Sequence, residues 1–364
     1  MDIKLERLNA MPIRTWRRLG VNDTSLTFAF PADTGRLARE PVITLPEELA
    51  PLCVEPESFG GFVSAVGAES ENFTRGRRNA GLCIRAPQGV RPARPAAARY
   101  VLGGGDALYD CNCIVAEAGS RVDVVVLYGA DGAGGPAFHG GLTRVIAGRC
   151  SRVRFASVQM LGDGAAHMSD FAALTEAGAS VEYTQIELGA AKVVSGCHID
   201  LRGADSSVSV NTFYFGDGER TLDFNNIVRH SGERTKSEMK ANGALFGSAG
   251  KVYRGTLDFV RGSRKAVGSE TENTLLFSPD ARNRSAPLIL CGEEDVDGRH
   301  AATIGRLDDA ELFYMLSRGL TEMEAKRLVA SSLLGAAMRS VGDERLRKAA
   351  DKFLSERIKQ KWST

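Results

Sequence analysis

The chain has 364 residues and a formal net charge of +1, so it can form a large core but carries no global charge that would favour nucleic acid or an anionic membrane. Its seven cysteines lack the density of a disulfide-stapled secreted domain, which predicts reduced thiols. The first residues are charged throughout, unlike a signal peptide, and the apolar stretches are too short to span a bilayer. We therefore expect a cytoplasmic protein.

Residues 1–95 are predicted to form a mixed α/β region that ends in a linker. The region contains a proline-containing extended run, EPVITLPEELAPLCVEP, and closes with the passage RAPQGVRPARPAAARY. The longer stretch that ends with this passage is rich in glycine, arginine and proline, which is typical of a connecting segment.

Residues 96–306 are predicted to form the β-rich core of the chain. Short β-type runs such as SRVRFASVQML, SVEYTQIEL and SVSVNTFYF alternate with small turns, and the turn glycines Gly148, Gly178 and Gly203 recur at intervals of 30 and 25 residues. This loose period suggests the stacked coils of a solenoid. A β-sandwich has similar turn spacing, so the periodicity alone leaves both folds open.

Residues 307–364 are predicted to form a helical subdomain. Asp308 with Glu311, and Thr321 with Glu324, have the spacing of capping boxes that open helices, and Gly319 supplies the stop between them. A third apolar-periodic segment begins near residue 343. Three helices should therefore close the chain.

The nucleotide and metal motifs that we tested do not match. The GSAGK stretch at 247–251 lacks the spacing of a phosphate-binding loop. Cys111 and Cys113 can share one face of a strand, although buried cysteine commonly packs as a small hydrophobe, and the adjacent Cys197 and His198 should face opposite sides.

The stretch GEEDVDGRHAATIGRLDDAELFYMLSRG, at 292–319, strongly resembles the C-terminal signature of the SufB/SufD family of iron–sulfur cluster assembly scaffolds. The stretch MPIRTWRRLGVN at 11–22 is similar to the N-terminal region of SufD-like members. The resemblance implies a mainly β fold, a right-handed parallel β-helix with an N-terminal mixed region and a C-terminal helical subdomain. It also implies two partners: a SufC-type ABC ATPase, bound through the helical subdomain, and a SufB-type subunit or a second copy of the chain.

The same resemblance implies a site for a transient Fe–S cluster at the subunit interface. His300 matches a histidine regarded as a cluster ligand, and imidazole nitrogen suits iron. Cys291 is a weaker candidate metal ligand, because its spacing matches no known ligand of the family. Glu272 stands where SufB-type relatives carry a reactive cysteine, which favours a SufD-like rather than a SufB-like member. Gly298 stands where many SufD-type relatives carry a cysteine, so one proposed ligand of the family is missing.

The predicted function is a non-enzymatic, SufD-like scaffold that helps build and transfer nascent Fe–S clusters. The residues expected to dock the ATPase lie in the LFYMLSRG match, and they are Leu312, Phe313, Tyr314, Arg318 and Gly319. Two alternatives remain. One is a SufB-like homodimer that works with the ATPase alone, and the other is a carbohydrate-active β-helix enzyme using carboxylates such as Glu182, Glu187 and Asp200.

Overall fold

The computed structural model describes residues 2–29, 37–52, 60–132, 134–341 and 344–362. The strands are β1 (Asp2–Leu8), β2 (Thr24–Ala29), β3 (Val42–Thr44), β4 (Ala50–Pro51), β5 (Cys83–Ala86), β6 (Ala96–Leu102), β7 (Ala107–Ala116), β8 (Arg121–Ala130), β9 (Ala137–Ala147), β10 (Arg152–Met160), β11 (Ala165–Thr175), β12 (Ser180–Glu187), β13 (Lys192–Leu201), β14 (Ser207–Gly216), β15 (Thr221–His230), β16 (Lys236–Leu245), β17 (Gly250–Phe259), β18 (Ala266–Leu276), β19 (Arg282–Cys291) and β20 (Val296–Gly305). The helices are α1 (Ala68–Arg75), α2 (Asp309–Ser317), α3 (Glu322–Val341) and α4 (Glu344–Trp362).

The body is a solenoid of two facing sheets. In sheet 1 the strands lie in the order β20-β18-β16-β14-β12-β10-β8-β6-β3, and in sheet 2 in the order β19-β17-β15-β13-β11-β9-β7-β5-β4. The chain alternates between the sheets, so each strand pairs in parallel with the strand two places away in sequence. This pairing excludes the antiparallel β-sandwich, and the prediction of a parallel β-helix is confirmed.

The core lies between the two sheets. On β8, Val122, Val124 and Val126 point into it, and the same alternation on every coil stacks apolar side chains along the solenoid. Val125 points the other way, into a second apolar cluster on the outer face of sheet 1. The run VDVVVLYG is therefore nearly continuous in apolar residues because both faces of β8 are covered.

Glycines permit the tight corners where one coil lies on the next. A Cβ atom at Gly203 would collide with the backbone of Ala177 on the preceding coil, and one at Gly148 would come within 2.8 Å of the Ala116 carbonyl oxygen. Gly178 instead adopts a positive φ of 66°, a backbone conformation that residues with a side chain rarely adopt. The spaced glycines of the sequence thus mark successive corners.

The N-terminal region is built onto the solenoid. Strands β3 and β4 pair antiparallel with β6 and β5, and β5 itself pairs in parallel with β7. The passage predicted to be a linker, residues 85–100, contains the end of β5 and most of β6. The Arg121 amide donates to the Val90 carbonyl in this passage at 2.8 Å. This passage is therefore a corner of the first coils, and the parallel stack starts before the predicted boundary at residue 96.

The C-terminal helices lie on the outer face of sheet 1. Leu346, Ala350, Leu354 and Ile358 of α4 are buried there, as the sequence pattern predicts, and Ala330 of α3 joins them. Among the residues predicted to form the α3 stripe, Leu333 packs against this cluster, Leu328 is exposed, and the side chains of 337 and 338 lie outside the described residues. Leu328 is thus the described member of the predicted stripe that lies on an exposed face of α3.

Candidate functional site

The last coil leaves the C-terminal end of the solenoid open. Strands β19 and β20 are the edges of their sheets, and the helices that follow pack on the side of the solenoid rather than across this end. Residues 299–304 of β20 are exposed, and the Ile304 side chain is 52% accessible. Two ten-residue edge strands therefore offer unpaired backbone groups to a partner.

The register places a set of polar side chains at this open end. Ile289 and Val296 pack against the core. Every second residue of a strand points to the same face, so His300, four residues after Val296, also faces the interior. His300 lies beside Glu270 of the preceding coil, and Ala302 lies beside Glu272. Glu270 and Glu272 are thus one coil below the exposed edge.

A buried ion pair forms the floor of the site. The Lys251 ammonium contacts the Glu272 carboxylate, which also accepts hydrogen bonds from the Ser285 hydroxyl and, at 3.1 Å, the Thr274 hydroxyl. Burial lowers the pKa of Lys251 to about 8, although Glu272 opposes this change. The pair resists separation because either charge alone would be stranded in a low-dielectric interior.

Glu270 is the less satisfied carboxyl group of the site. Burial raises its pKa to about 7, and the neighbouring charge of Glu272 adds to this effect. Its Oε2 atom has no hydrogen-bond partner within the described part of the chain. Gly255 makes room for it, because a Cβ atom there would collide with the Glu270 carboxylate.

The structure separates the two predicted metal ligands. Gly298 lies against Ile289 across the coil. Cys291 lies two residues after Ile289 on β19, and His300 lies two residues after Gly298 on β20, which runs in the opposite direction. Cys291 and His300 are therefore separated by about 13 Å along the strands. Both are exposed, and among residues 2–29, 37–52, 60–132, 134–341 and 344–362 no three His, Cys, Asp or Glu residues are placed to hold a metal. Cys291 and His300 are therefore not placed to hold one metal ion together within a single chain.

The predicted docking residues lie on and after α2, which buries none of its residues. Phe313 is 72% and Tyr314 59% exposed, whereas Leu312 is half-buried. The Arg318 guanidinium lies 5.2 Å from the Tyr314 ring centre, and Gly319 takes a φ of 89° that ends the helix. Helices α2 and α3 enclose an open groove of about 480 Å³, lined by Ala310, Glu311, Tyr314, Met315 and Val329.

The capping box predicted at Thr321 forms, whereas Asp308 caps α2 through a different bond from the predicted one. The Thr321 amide donates to the Glu324 carboxylate at 2.8 Å, and the Glu324 amide donates to the Thr321 hydroxyl at 3.3 Å, which is a reciprocal capping box. The Asp308 carboxylate accepts from the Ala310 amide at 3.2 Å at the start of α2.

A buried polar chain inside the solenoid was missed by the sequence reasoning. The His139 ring contacts Asp110 at 2.7 Å through Nε2 and His167 at 2.7 Å through Nδ1, and His167 lies 3.4 Å from Glu187. Burial lowers the pKa of His139 and outweighs the opposing effect of Asp110. These residues are 28 or more positions apart or on different sheets, so only the coil register brings them together.

Two of the carboxylates of the carbohydrate-enzyme hypothesis, Glu182 and Glu187, lie on opposite faces of β12. Glu187 is buried in the interior and accepts from the Gln159 and Gln185 amides at 2.9 and 2.8 Å. Glu182, five residues earlier on the same strand, faces outward and lies 3.6 Å from Arg152. Glu182 and Glu187 therefore cannot act on one substrate from one face.

The comparisons with known proteins agree with the fold. The family model described as "SUF system FeS cluster assembly, SufBD core domain" matches residues 100–333, which include the open end and the start of α3. The chain belongs to the SufB/SufD family. Its core domain thus extends from β6 into the helices that follow β20.

Several curated relatives carry family names. The chain is 27% identical over 283 residues to "Iron-sulfur cluster assembly protein SufD" of Bacillus subtilis, covering 77% of this chain and 65% of that protein. It is 23% identical over 171 residues to the SufD protein of Escherichia coli, covering 47% of this chain and 40% of that protein. It is 30% identical over 184 residues to a SufBD family protein of Mycobacterium tuberculosis, covering 48% and 46%. The chain thus spans less than two thirds of these relatives.

No helix in the described part of the chain is long and apolar enough to cross a membrane.

Proposed function

We propose that this chain is a SufD-like scaffold of the SUF system, without turnover of its own, which helps to build and transfer nascent Fe–S clusters. The observation that carries the proposal is the open solenoid end, where His300 faces inward on an exposed edge strand in a chain of the SufB/SufD family. An uncapped coil of this kind is suited to a second subunit, since its edge strands hold unpaired backbone groups.

The Fe–S cluster would be a cargo shared between subunits. His300 supplies one imidazole, and the Cys291 thiol lies on the other side of the coil. A SufB-type subunit would supply the remaining ligands across the interface. A site with few ligands from each side releases its cluster when the subunits move apart, which suits transfer.

A SufC-type ABC ATPase would dock on α2 and the groove between α2 and α3. Phe313 and Tyr314 are exposed aromatic residues on α2, and aromatic residues are enriched at the energetic centres of interfaces. Helices α3 and α4 are anchored to the outer face of sheet 1 through the apolar cluster that includes Ala330 and Leu354. Movement of the docked ATPase would therefore be transmitted to the solenoid rather than absorbed by a loose tail.

Co-purification with the ATPase tests the docking. Phe313→Asp places a charge in the centre of the proposed contact and should abolish co-purification with a SufC-type ATPase. Val42→Asp is the control, because Val42 is 62% exposed on β3 at the opposite end of the solenoid. If Phe313→Asp retained the ATPase as well as wild type does, the docking proposal would fail.

A pair of identical copies that works with the ATPase alone is the second candidate. It would use the same open end of the solenoid.

A further inference from the structure

The corners that lead into sheet 1 carry a column of arginines on the first coils. The Arg121 amide donates to the Val90 carbonyl at 2.8 Å, and the Arg152 amide donates to the Ser120 carbonyl at 2.9 Å. Each of these acceptors directly precedes an arginine of the coil before, Arg91 in one case and Arg121 in the other. Arg91, Arg121 and Arg152 therefore occupy the same position on three successive coils, with their backbones about 4.8 Å apart.

The column is confined to these coils. The next two coils place Ser180 and Ser207 at the same position, so the run of positive charge ends at Arg152. Like charges at directly opposed positions of neighbouring strands repel each other and destabilise the sheet. A stack of three guanidinium groups thus costs free energy unless negative charge is placed beside it.

Two carboxylates beside the column neutralise only part of its charge. The Asp123 carboxylate accepts from the Arg154 Nε atom at 2.8 Å and lies 3.3 Å from the Arg121 guanidinium. The Glu182 carboxylate lies 3.6 Å from the Arg152 guanidinium. Asp123 is thus shared between two arginines, and the contact of Glu182 is too long for a hydrogen bond.

Arg91 is the least neutralised member of the column. Its guanidinium donates to the Gly119 carbonyl oxygen at 3.4 Å, and it lies within ion-pair distance of no carboxylate in the described part of the chain. It borders an open cavity of about 520 Å³, here named the arginine pocket, whose lining includes Arg91, Arg121, Asp123, Arg152 and Arg154. A cavity of this volume is in the size range of small-molecule sites. Its four guanidinium groups face the two carboxylates, which leaves an excess of two positive charges.

We propose that the arginine pocket binds a small polyanion of the diphosphate class. A guanidinium group binds phosphate oxygens through two parallel hydrogen bonds, and arginines on neighbouring coils can bind two linked phosphate groups at once. Two phosphate groups also neutralise the excess charge of the pocket, so the ligand replaces repulsion between the stacked arginines by attraction.

The lining of the pocket indicates that the diphosphate group itself is recognised. None of the ten residues that line the pocket is aromatic, so it offers no stacking surface for a nucleotide base. The pocket lies on the first coils, away from the open end and from α2. The inference therefore goes beyond the proposed function and does not depend on it.

Isothermal titration calorimetry of the full chain tests the inference with inorganic pyrophosphate, inorganic phosphate and ADP, in metal-free buffer at equal ionic strength. Pyrophosphate should bind at least about tenfold more tightly than phosphate, because the second phosphate group adds charge-assisted hydrogen bonds. ADP should bind no more tightly than pyrophosphate. ADP binding that clearly exceeds pyrophosphate binding would refute recognition of the diphosphate group alone.

Two matched variants locate the site. Arg91→Gln/Arg121→Gln should weaken pyrophosphate binding at least about tenfold. Without ligand, this variant should melt at or above the wild-type temperature, because the repulsion within the column is relieved. Arg261→Gln/Arg264→Gln changes two exposed arginines on a corner near the other end of the solenoid and should bind pyrophosphate as wild type does.

The melting temperature provides a second readout of the same site. Pyrophosphate should raise the melting temperature of wild type and of the control variant, but not that of Arg91→Gln/Arg121→Gln. Equal affinity of wild type for phosphate and pyrophosphate, or undiminished pyrophosphate binding by a folded Arg91→Gln/Arg121→Gln chain, would overturn the inference. ATPase co-purification should be unchanged in both variants, so the scaffold role is tested separately.

Discussion

Glu270→Gln should stabilise the folded chain and remove part of its pH dependence. Glu270 lies in the interior one coil below His300, and one of its carboxyl oxygens has no hydrogen-bond partner among the described residues. Glutamine has nearly the same shape, so the change removes the charge and leaves the packing against Gly255 intact. The variant thus isolates the cost of a buried carboxyl group.

The magnitude follows from the difference between the pKa of about 7 in the folded chain and the ordinary value of 4.5. The folded state retains a proton that the unfolded chain releases, so stability falls as the pH rises from about 4.5 to about 7. At about 1.4 kcal/mol per pH unit, the free energy of unfolding of the wild-type chain is lowered by about 3 kcal/mol at pH 8 relative to low pH. At pH 5 it is lowered by only about 1 kcal/mol. Glu270→Gln should recover these amounts.

Urea unfolding of both chains at pH 5 and pH 8 is the assay. The stability difference between variant and wild type should grow by about 2 kcal/mol between the two pH values. Glu238→Gln, on an exposed glutamate, is the control and should show no comparable growth. An equal stability difference between variant and wild type at both pH values would refute the claim that burial destabilises the charged form of Glu270. A variant less stable than wild type at pH 8 would refute it as well.

Three further predictions concern the floor of the site and the helices. Lys251→Met should cost about 3–5 kcal/mol at pH 7 because it strands the Glu272 carboxylate, and Lys251→Met/Glu272→Gln should recover most of this loss in urea unfolding. Arg357→Leu removes contacts of 2.7 and 3.0 Å to Asp163 and Asp217, so amide hydrogen exchange in α4 should accelerate while exchange in β10 and β12 stays unchanged. Thr321→Ala breaks the capping box and should accelerate exchange in the first turn of α3, corresponding to about 1 kcal/mol; unchanged exchange would contradict this.

The sequence predicts the parts of the fold that local patterns control. The capping box at Thr321 and the α4 stripe through Leu354 depend on residues three or four positions apart, and both form as expected. The turn glycines indicated stacked coils, but only the family resemblance distinguished a solenoid from a sandwich. A single strand has the same alternation in either fold, because that choice depends on which strands pair.

The features that sequence analysis missed depend on coil stacking. His139 and His167 meet because corresponding positions of successive coils lie side by side, although each residue alone is indistinguishable from a core histidine. Glu270 and His300 come together in the same way, 30 residues apart in the chain. The proline-rich passage before residue 96 was interpreted as a linker because its composition is that of a loop, yet a solenoid corner uses the same residues.

The proposed role of His300 as a ligand for the shared cluster is the central claim, and iron and sulfide content after anaerobic reconstitution tests it most directly. The measurement uses the complex of this chain with its SufB-type partner and ATPase, and compares wild type, His300→Ala and Cys291→Ser. Because the proposed cluster site is built on His300 of β20, whereas Cys291 lies on β19 on the other side of the coil, His300→Ala should lose most of the bound iron and sulfide while Cys291→Ser should retain them. Full cluster content in an intact His300→Ala complex would contradict the account.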